Sequence, residues 1–242
     1  MSDEIKYYDD TPSGSEMTMM ETWIAAVTKP KVDTFVRIAA QSGATMGKAF
    51  LWAFVAILIS SFASSLAQVF SAGSQMDRLR GILPPEIARE IPASVTSSAG
   101  GISTVICGAP IAAVMGVLVF AIMVALIQWA AKLFGGTGSF EKLFYTFSTI
   151  LVPMAVVSAV LSLLTAIPYI GICFGVVALG LGVYQIVLQV LAVQAVNGLD
   201  TGKAVGSVLL PIVIFFLFIC CCVAIFTLVL GPAVGNVFNG LQ

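Results

Sequence analysis

Histidine is absent from this chain of 242 residues, and only 10% of the residues are charged. A typical soluble domain is about a quarter charged. Without histidine the chain lacks the commonest general base and metal ligand, which argues against an enzyme. Charge is also missing between Glu90 and Lys132 and between Lys142 and Asp200. Uncharged apolar runs of this length predict membrane-spanning helices.

The N-terminus lacks the features of a cleavable signal peptide. It opens with the acidic stretch Ser2-Asp3-Glu4, and the first long apolar run begins only near Ala49. The first span is therefore expected to act as its own insertion signal. The five cysteines lie in apolar runs without C-x-x-C spacing, and we interpret them as packing residues. No cofactor, metal site or nucleic-acid partner is expected.

The pattern predicts an all-α polytopic membrane protein, a bundle of five transmembrane helices with an N-terminal amphipathic interfacial helix. Residues 1–20 read as a disordered acidic tail, 21–48 as a juxtamembrane segment and 49–235 as the membrane domain. The expected spans are at about 49–70, 105–131, 143–166, 170–196 and 204–230, each long enough for a hydrocarbon core of roughly 30 Å. The connection at 71–104 is the only long one, with a short helix expected from Pro84.

Apolar residues alternate with charged ones at helical spacing in segment 31–47. The apolar positions are Val32, Phe35, Val36 and Ala39, opposite Asp33, Arg37 and Gln41. This predicts a helix lying on the membrane, with Trp23 near headgroup level and basic residues facing anionic lipid. A solvated connector is the alternative.

Basic residues near the span ends predict the orientation. With the N-terminus cytoplasmic, the inner segments hold Lys29, Lys31, Arg37, Lys48, Lys132, Lys142 and Lys203, and the outer ones hold Arg78, Arg80 and Arg89. Five spans then place the C-terminus outside. The expected location is an integral membrane position, in a prokaryotic plasma membrane.

Glycine-lysine motifs stand at three expected inner-face turns. Residues 43–49 and 198–204 both read G-x-x-x-G-K-A, and 133–143 reads LFGGTGSFEKL. A Walker loop needs four residues between its glycines and a Ser or Thr after the lysine, so nucleotide binding is disfavoured. We interpret them as turns in which glycine ends one helix, Ser139 or Thr201 caps the next and lysine marks the inner interface. The turn residues are Lys48, Gly135, Gly136, Gly138, Ser139, Lys142, Gly202 and Lys203.

Small and polar residues form faces within the spans. The fourth span carries a small-residue helix-packing face, Gly171, Gly175, Ala178 and Gly182. The intramembrane polar residues are Gln185 and Gln189 on the same face, Ser60, Ser64 and Gln68 in the first span, and Ser158 and Ser162 in the third. We favour hydrogen bonding between helices for these residues, and a pathway for a polar solute is the alternative.

The order of several short motifs resembles that of the Yip family, the Ypt/Rab-interacting integral membrane proteins, and of its bacterial-type members in particular. The motifs are Trp23…Lys29-Pro30…Phe35, Phe134-Gly135-Gly136-Thr137-Gly138-Ser139-Phe140, Pro153, Ile167-Pro168-Tyr169-Ile170-Gly171 and Lys203-Ala204. The resemblance implies a five-span bundle with a cytoplasmic N-terminus and no catalytic residues. A small GTPase is an expected partner only if a role of the eukaryotic type applies, and the aromatic-rich "YG" pattern of that branch is lacking.

The sequence therefore favours a non-enzymatic membrane protein that acts through association with protein or lipid, in membrane organisation or as a trafficking-like adaptor. Its expected partners are the lipid bilayer, further copies of itself or other membrane proteins. A small-solute transporter or channel subunit is the alternative.

Overall fold

A computed structural model describes residues 17–82, 98–165, 167 and 171–239, and these residues form seven helices and no strand. Two are short, α1 (Met19–Thr28) and α2 (Val32–Ala39). Five are long: α3 (Met46–Ile82), α4 (Ser98–Leu133), α5 (Phe140–Thr165), α6 (Gly171–Asn197) and α7 (Thr201–Asn239). The all-helical architecture predicted from the sequence is confirmed.

Each long helix contains a stretch apolar enough to cross a bilayer. In the described residues these stretches are Met46–Gln68, Val105–Leu133, Phe140–Thr165, Cys173–Asn197 and Thr201–Ile225. At about 1.5 Å per residue even the shortest exceeds the roughly 30 Å hydrocarbon core. The predicted number of spans, five, is confirmed.

The connection between the first two spans is more helical than the sequence indicated. Helix α3 continues to Ile82 and α4 begins at Ser98, so both ends of the expected 71–104 loop belong to helices. The polar composition of these ends concealed helical continuation beyond the apolar stretch. The helix expected from Pro84 lies outside the described residues.

Helix α5 lies at the centre of the bundle. Among the described helices its packing against α3 is the most extensive, and it also contacts α1, α2, α4 and α6. All eight residues from Leu143 to Ile150 are buried, including the polar Thr146, Ser148 and Thr149. These three hydroxyls donate to backbone carbonyls of their own helix, at 2.7, 2.8 and 2.7 Å respectively, which satisfies them without water.

Helices α1 and α2 form a hairpin against the flank of α5 and α6. A capping box at Thr18 and Glu21 begins α1, so α1 starts within the segment assigned to the acidic tail; residues 1–16 of that tail lie outside the described residues. Pro30 lies in the break between the two helices and Lys31 precedes the first turn of α2. The break makes a turn that brings α2 back along the bundle.

The amphipathic character of α2 is confirmed, but protein covers its apolar face. Phe35, Ile38 and Ala39 are buried against the bundle, whereas Val36, expected on the apolar face, is 38% exposed. Arg37 is exposed on the other side. The helix therefore docks on α6 and α5 through its apolar face and turns its charged face outward.

Candidate functional surface at the lysine-bearing helix ends

Two of the three glycine turns close with glycine in the left-handed conformation. Gly135, at φ 91°, follows α4; its N–H donates to Lys132 O at 3.0 Å, and Gly136 N donates to Ala131 O at 2.9 Å. This is the Schellman pair of hydrogen bonds. Gly198, at φ 64°, ends α6 with a single bond from its N–H to Gln194 O at 2.9 Å. Glycine thus ends the preceding helix at both turns, because other residues are strained at these angles.

The α4–α5 turn lies directly on the end of α6. A Cβ on Gly138 would come within 2.5 Å of Val196 O, and one on Gly136 within 2.9 Å of Asn197 Cβ. Thr137 N donates to Asn197 O at 3.3 Å. These two glycines therefore permit close packing of the turn against the end of a helix.

A buried pair of amides fastens this contact. Gln128 of α4 is 3% exposed and Asn197 of α6 is 2% exposed. Gln128 Nε2 donates to Asn197 Oδ1 at 2.9 Å and to Gly138 O at 2.7 Å, and Asn197 Nδ2 donates to Gln128 Oε1 at 3.3 Å. Reciprocal bonds of this kind satisfy both buried side chains and fix α4, α6 and the turn in one geometry.

The same turn also contacts α3 and α7. Ser139 Oγ accepts from Lys142 N at 3.4 Å, so serine caps α5 as expected. Glu141 Oε1 accepts from Met46 N at 3.2 Å and so caps the first turn of α3. The ring of Phe134 lies against Gly206 of α7. At the other turn Thr201 was expected to cap α7, but its Oγ1 accepts from Gln194 Nε2 at 3.3 Å instead.

Four exposed lysines surround this junction, and we call them the lysine face: Lys48, Lys132, Lys142 and Lys203. They lie in the first turns of α3, α5 and α7 and the last turn of α4. Because the junction joins these helix ends, the four cations come to one end of the bundle. Gly47 and Gly202, beside two of them, have open space around them.

The α1–α2 hairpin carries a second group of cations, farther along the bundle from the lysine-bearing helix ends. Tyr184 OH donates to Val27 O at 2.6 Å, and Tyr184 precedes the end of α6 by 13 residues, a distance of about 20 Å along the helix. Lys29 and Lys31 are exposed in the turn that follows α1. They therefore lie well away, along the bundle axis, from the helix ends that bear the lysine face. Lys29 and Arg37 line a groove of about 400 Å³ between α1 and α2.

Glu21 lies at the same groove and is held ionised. Its carboxylate accepts from Thr18 N at 2.8 Å and from Thr18 Oγ1 at 2.9 Å. These hydrogen bonds, the backbone one first, hold the pKa of Glu21 below its ordinary value. The capping box therefore favours the charged form of this carboxyl.

A chain of polar and aromatic contacts attaches the hairpin to α3 and α5. Tyr145 OH donates to Gln41 Oε1 at 3.1 Å, and Gln41 Nε2 donates to Thr22 Oγ1 at 3.2 Å. The rings of Trp23 and Trp52 meet edge to face with centroids 5.4 Å apart, and Trp52 contacts Tyr145 at 5.2 Å. Trp23, which was expected near headgroup level, is half-buried and packs on Trp52.

The intramembrane polar residues predicted from the sequence differ in their surroundings. Gly182, Gln185 and Gln189 line one cavity, while the predicted serines of the first and third spans lie elsewhere. Ser162 donates to Ala159 O in its own helix at 2.8 Å. Gly175 and Gly182 have no neighbouring atom within 4 Å of an added Cβ, so the small-residue face has no partner there within the described chain.

Two features of the helix contacts were missed from the sequence. Gln128 and Asn197 are single polar residues near the ends of apolar runs. Residues at the membrane interface show the same pattern, so the sequence did not reveal that these two are buried and paired. Gly116 was overlooked, yet a Cβ there would lie 2.6 Å from Ile57 Cγ2 of α3. Close approach of α3 and α4 thus occurs at this isolated glycine.

The family follows from a match between residues 24–223 and the Yip1 domain. The chain belongs to the Yip1 domain family. This match contains the second half of α1, all of α2, the three glycine turns and most of the five spans of this Yip1 protein. Neither the curated proteins nor the solved structures gave a significant match.

Within the described residues, no group of three His, Cys, Asp or Glu is placed to hold a metal ion.

Proposed function

We propose that this Yip1 protein acts without catalysis, by associating with other membrane components through the lysine face and the α1–α2 hairpin. In this proposal it organises membranes or serves as a trafficking-like adaptor. The observation that carries the proposal is the junction at Asn197, where the helix ends that bear four exposed lysines are held in a fixed arrangement.

A fixed cationic surface suits an anionic partner. Lysines on rigid helix ends attract acidic protein surfaces or anionic lipid headgroups without ordering a flexible loop first. The flank cations Lys29, Lys31 and Arg37 are exposed on the hairpin. Each such residue close to an anionic membrane surface contributes about 1 kcal/mol of attraction. In our proposal the hairpin binds lipid and the lysine face binds a protein.

The orientation belongs to the proposal as well. Lysine is concentrated at this end of the bundle, and the positive-inside rule places such an end in the cytoplasm. The N-terminus is then cytoplasmic and the C-terminus lies outside, in a prokaryotic plasma membrane.

Charge substitution on the lysine face tests the proposed association. The triple variant Lys132→Gln, Lys142→Gln, Lys203→Gln removes three exposed cations and leaves the buried junction intact. Amine-independent photo-crosslinking in native membranes, followed by affinity purification, should recover partners from the parent chain and at least tenfold less of them from the variant.

The matched control is the variant Lys29→Gln, Lys31→Gln, Arg37→Gln, which removes the same number of charges from the hairpin. It should retain the protein partners of the lysine face and lose co-purifying anionic lipid. Equal recovery of partners from the parent and the lysine-face variant would refute the proposed role of that face.

A further inference from the structure

A cavity of about 470 Å³ lies between the transmembrane helices, apart from the lysine face. Its walls come from α4, α5, α6 and α7, and most of its lining is apolar, including Phe120, Phe147 and Leu151. This volume lies within the range of small-molecule sites, which combine a largely apolar lining with a few polar groups.

Two glutamine amides supply the polar groups. Gln185 and Gln189 line the cavity one helical turn apart, and neither forms a hydrogen bond to another described residue. Gln185 lies 12 residues before Asn197, about 18 Å along the helix, at the midpoint of the Cys173–Asn197 span. An amide without a partner in a largely apolar lining costs several kcal/mol, so the cavity favours an occupant that can form hydrogen bonds with it.

Several residues that line the cavity are exposed on the apolar surface of the bundle. On the lysine-face side, the Gln128–Asn197 pair joins α4 to α6. Around the cavity, Val119 is 56% exposed, Ile212 is 37% exposed and Gly182 is exposed. These residues lie within apolar spans, where the surroundings are hydrocarbon, so an occupant would enter from the membrane.

We infer that this cavity binds a neutral lipid-soluble molecule whose carbonyl or hydroxyl oxygen pairs with the amides of Gln185 and Gln189. A charged phospholipid headgroup is disfavoured, because none of the residues that line the cavity carries a charge that could pair with it. The apolar lining suits the body of such a molecule, and the two amides offer both donors and acceptors for its oxygen.

Binding of two neutral probes to the purified full-length protein tests the inference. Decylubiquinone offers ring carbonyls, and 1,2-dioctanoylglycerol offers a hydroxyl and ester carbonyls. The midpoint of thermal unfolding, followed by circular dichroism in detergent, should rise with at least one probe because a ligand that binds only the folded state stabilises it. The probe that acts distinguishes a quinone from a glycerolipid.

Gly182→Leu should abolish that rise by filling the cavity. A side chain at Gly182 meets no atom within 4 Å of its Cβ, so the helix accepts the change. Gly180→Leu is the matched control, because Gly180 is equally open and does not line the cavity. It should retain the rise in full.

The double variant Gln185→Leu, Gln189→Leu should weaken probe binding at least tenfold, while Gln194→Leu, on the same helix but outside the cavity, should leave it unchanged. No rise with either probe would overturn the inference. So would an undiminished rise in both Gly182→Leu and the double glutamine variant, or a disulfide between two copies of Gln185→Cys showing that a second chain fills the cavity.

Discussion

At the residue scale, the most informative pair is Gln128 and Asn197. Each is more than nine-tenths buried, and each satisfies the other through reciprocal amide bonds at 2.9 and 3.3 Å. Removing one member leaves the other buried amide without its partner, whereas removing both leaves neither amide unpaired and deprives only Gly138 O of a donor. The junction thus depends on the pair rather than on either residue alone.

Gln128→Leu or Asn197→Leu should each lower the free energy of unfolding by about 1–3 kcal/mol. The double variant should lose less than the sum of the two, because neither amide is then left unpaired. Thermal unfolding in detergent measures both effects as a double-mutant cycle. Strict additivity would contradict a direct coupling, and Gln194→Leu, an exchange of the same type outside the pair, provides the baseline.

Gly138 permits the turn to approach α6, so adding one methyl group there should be costly. In Gly138→Ala the new Cβ would meet Val196 O at 2.5 Å and Asn197 Oδ1 at 2.8 Å. We expect a loss of about 1–3 kcal/mol in unfolding free energy, the usual cost of overpacking. Gly202→Ala, at an open glycine in the first turn of α7, should cost far less in the same thermal unfolding assay.

At the element scale, the α1–α2 hairpin depends on the capping box that begins α1. Glu21 is the titratable part of that box, and its pKa is depressed by hydrogen bonds from Thr18. A depressed pKa in the folded state means that the contribution to stability is present above the ordinary glutamate pKa and is lost as pH falls through the lower folded value. The hairpin should therefore loosen on acidification.

The backbone amide resonance of Thr18 should report this titration in NMR spectra of the protein in micelles. Its midpoint should lie below the ordinary glutamate value. In Glu21→Gln, which keeps a capping side chain but cannot ionise, the transition at Thr18 should vanish. A midpoint at or above the ordinary value would show that the carboxylate is not held by Thr18 in solution.

The sequence predicted the elements more fully than their contacts. Five uncharged apolar runs and the spacing around Phe35 contain enough information for the number of spans and for an amphipathic helix. The contacts require knowledge of which helices are neighbours. Thus the sequence did not indicate that Glu141, in the first turn of α5, caps α3, or that Trp23 packs on Trp52.

The same limit applies to the faces of the spans. Gly171, Gly175, Ala178 and Gly182 follow a helical period, but a period indicates only that residues share a face, and not what lies opposite it. The structure leaves Gly175 and Gly182 without a neighbour, while the isolated Gly116 lies against Ile57. Association through the periodic face therefore stays a prediction, and it concerns a second chain.

At the scale of the whole molecule, orientation can be checked at the α4–α5 turn. In a cysteine-free background, Thr137→Cys places an exposed thiol in that turn. Ser98→Cys introduces a thiol at the first residue of α4, the opposite end of that helix. A membrane-impermeant maleimide added to intact cells should label Cys at 98 and should label Cys at 137 only after permeabilisation. The reverse pattern would place the lysine face outside the cell.

The central claim, that the lysine face is a docking surface, is tested most directly by a photo-crosslinking amino acid introduced at Thr137, in the turn that carries this face. The control position is Val160, which is 54% exposed on the apolar surface of α5. On irradiation of native membranes, position 137 should form a defined adduct with another protein and position 160 should not. Only self-adducts, or the same adducts from both positions, would contradict the claim.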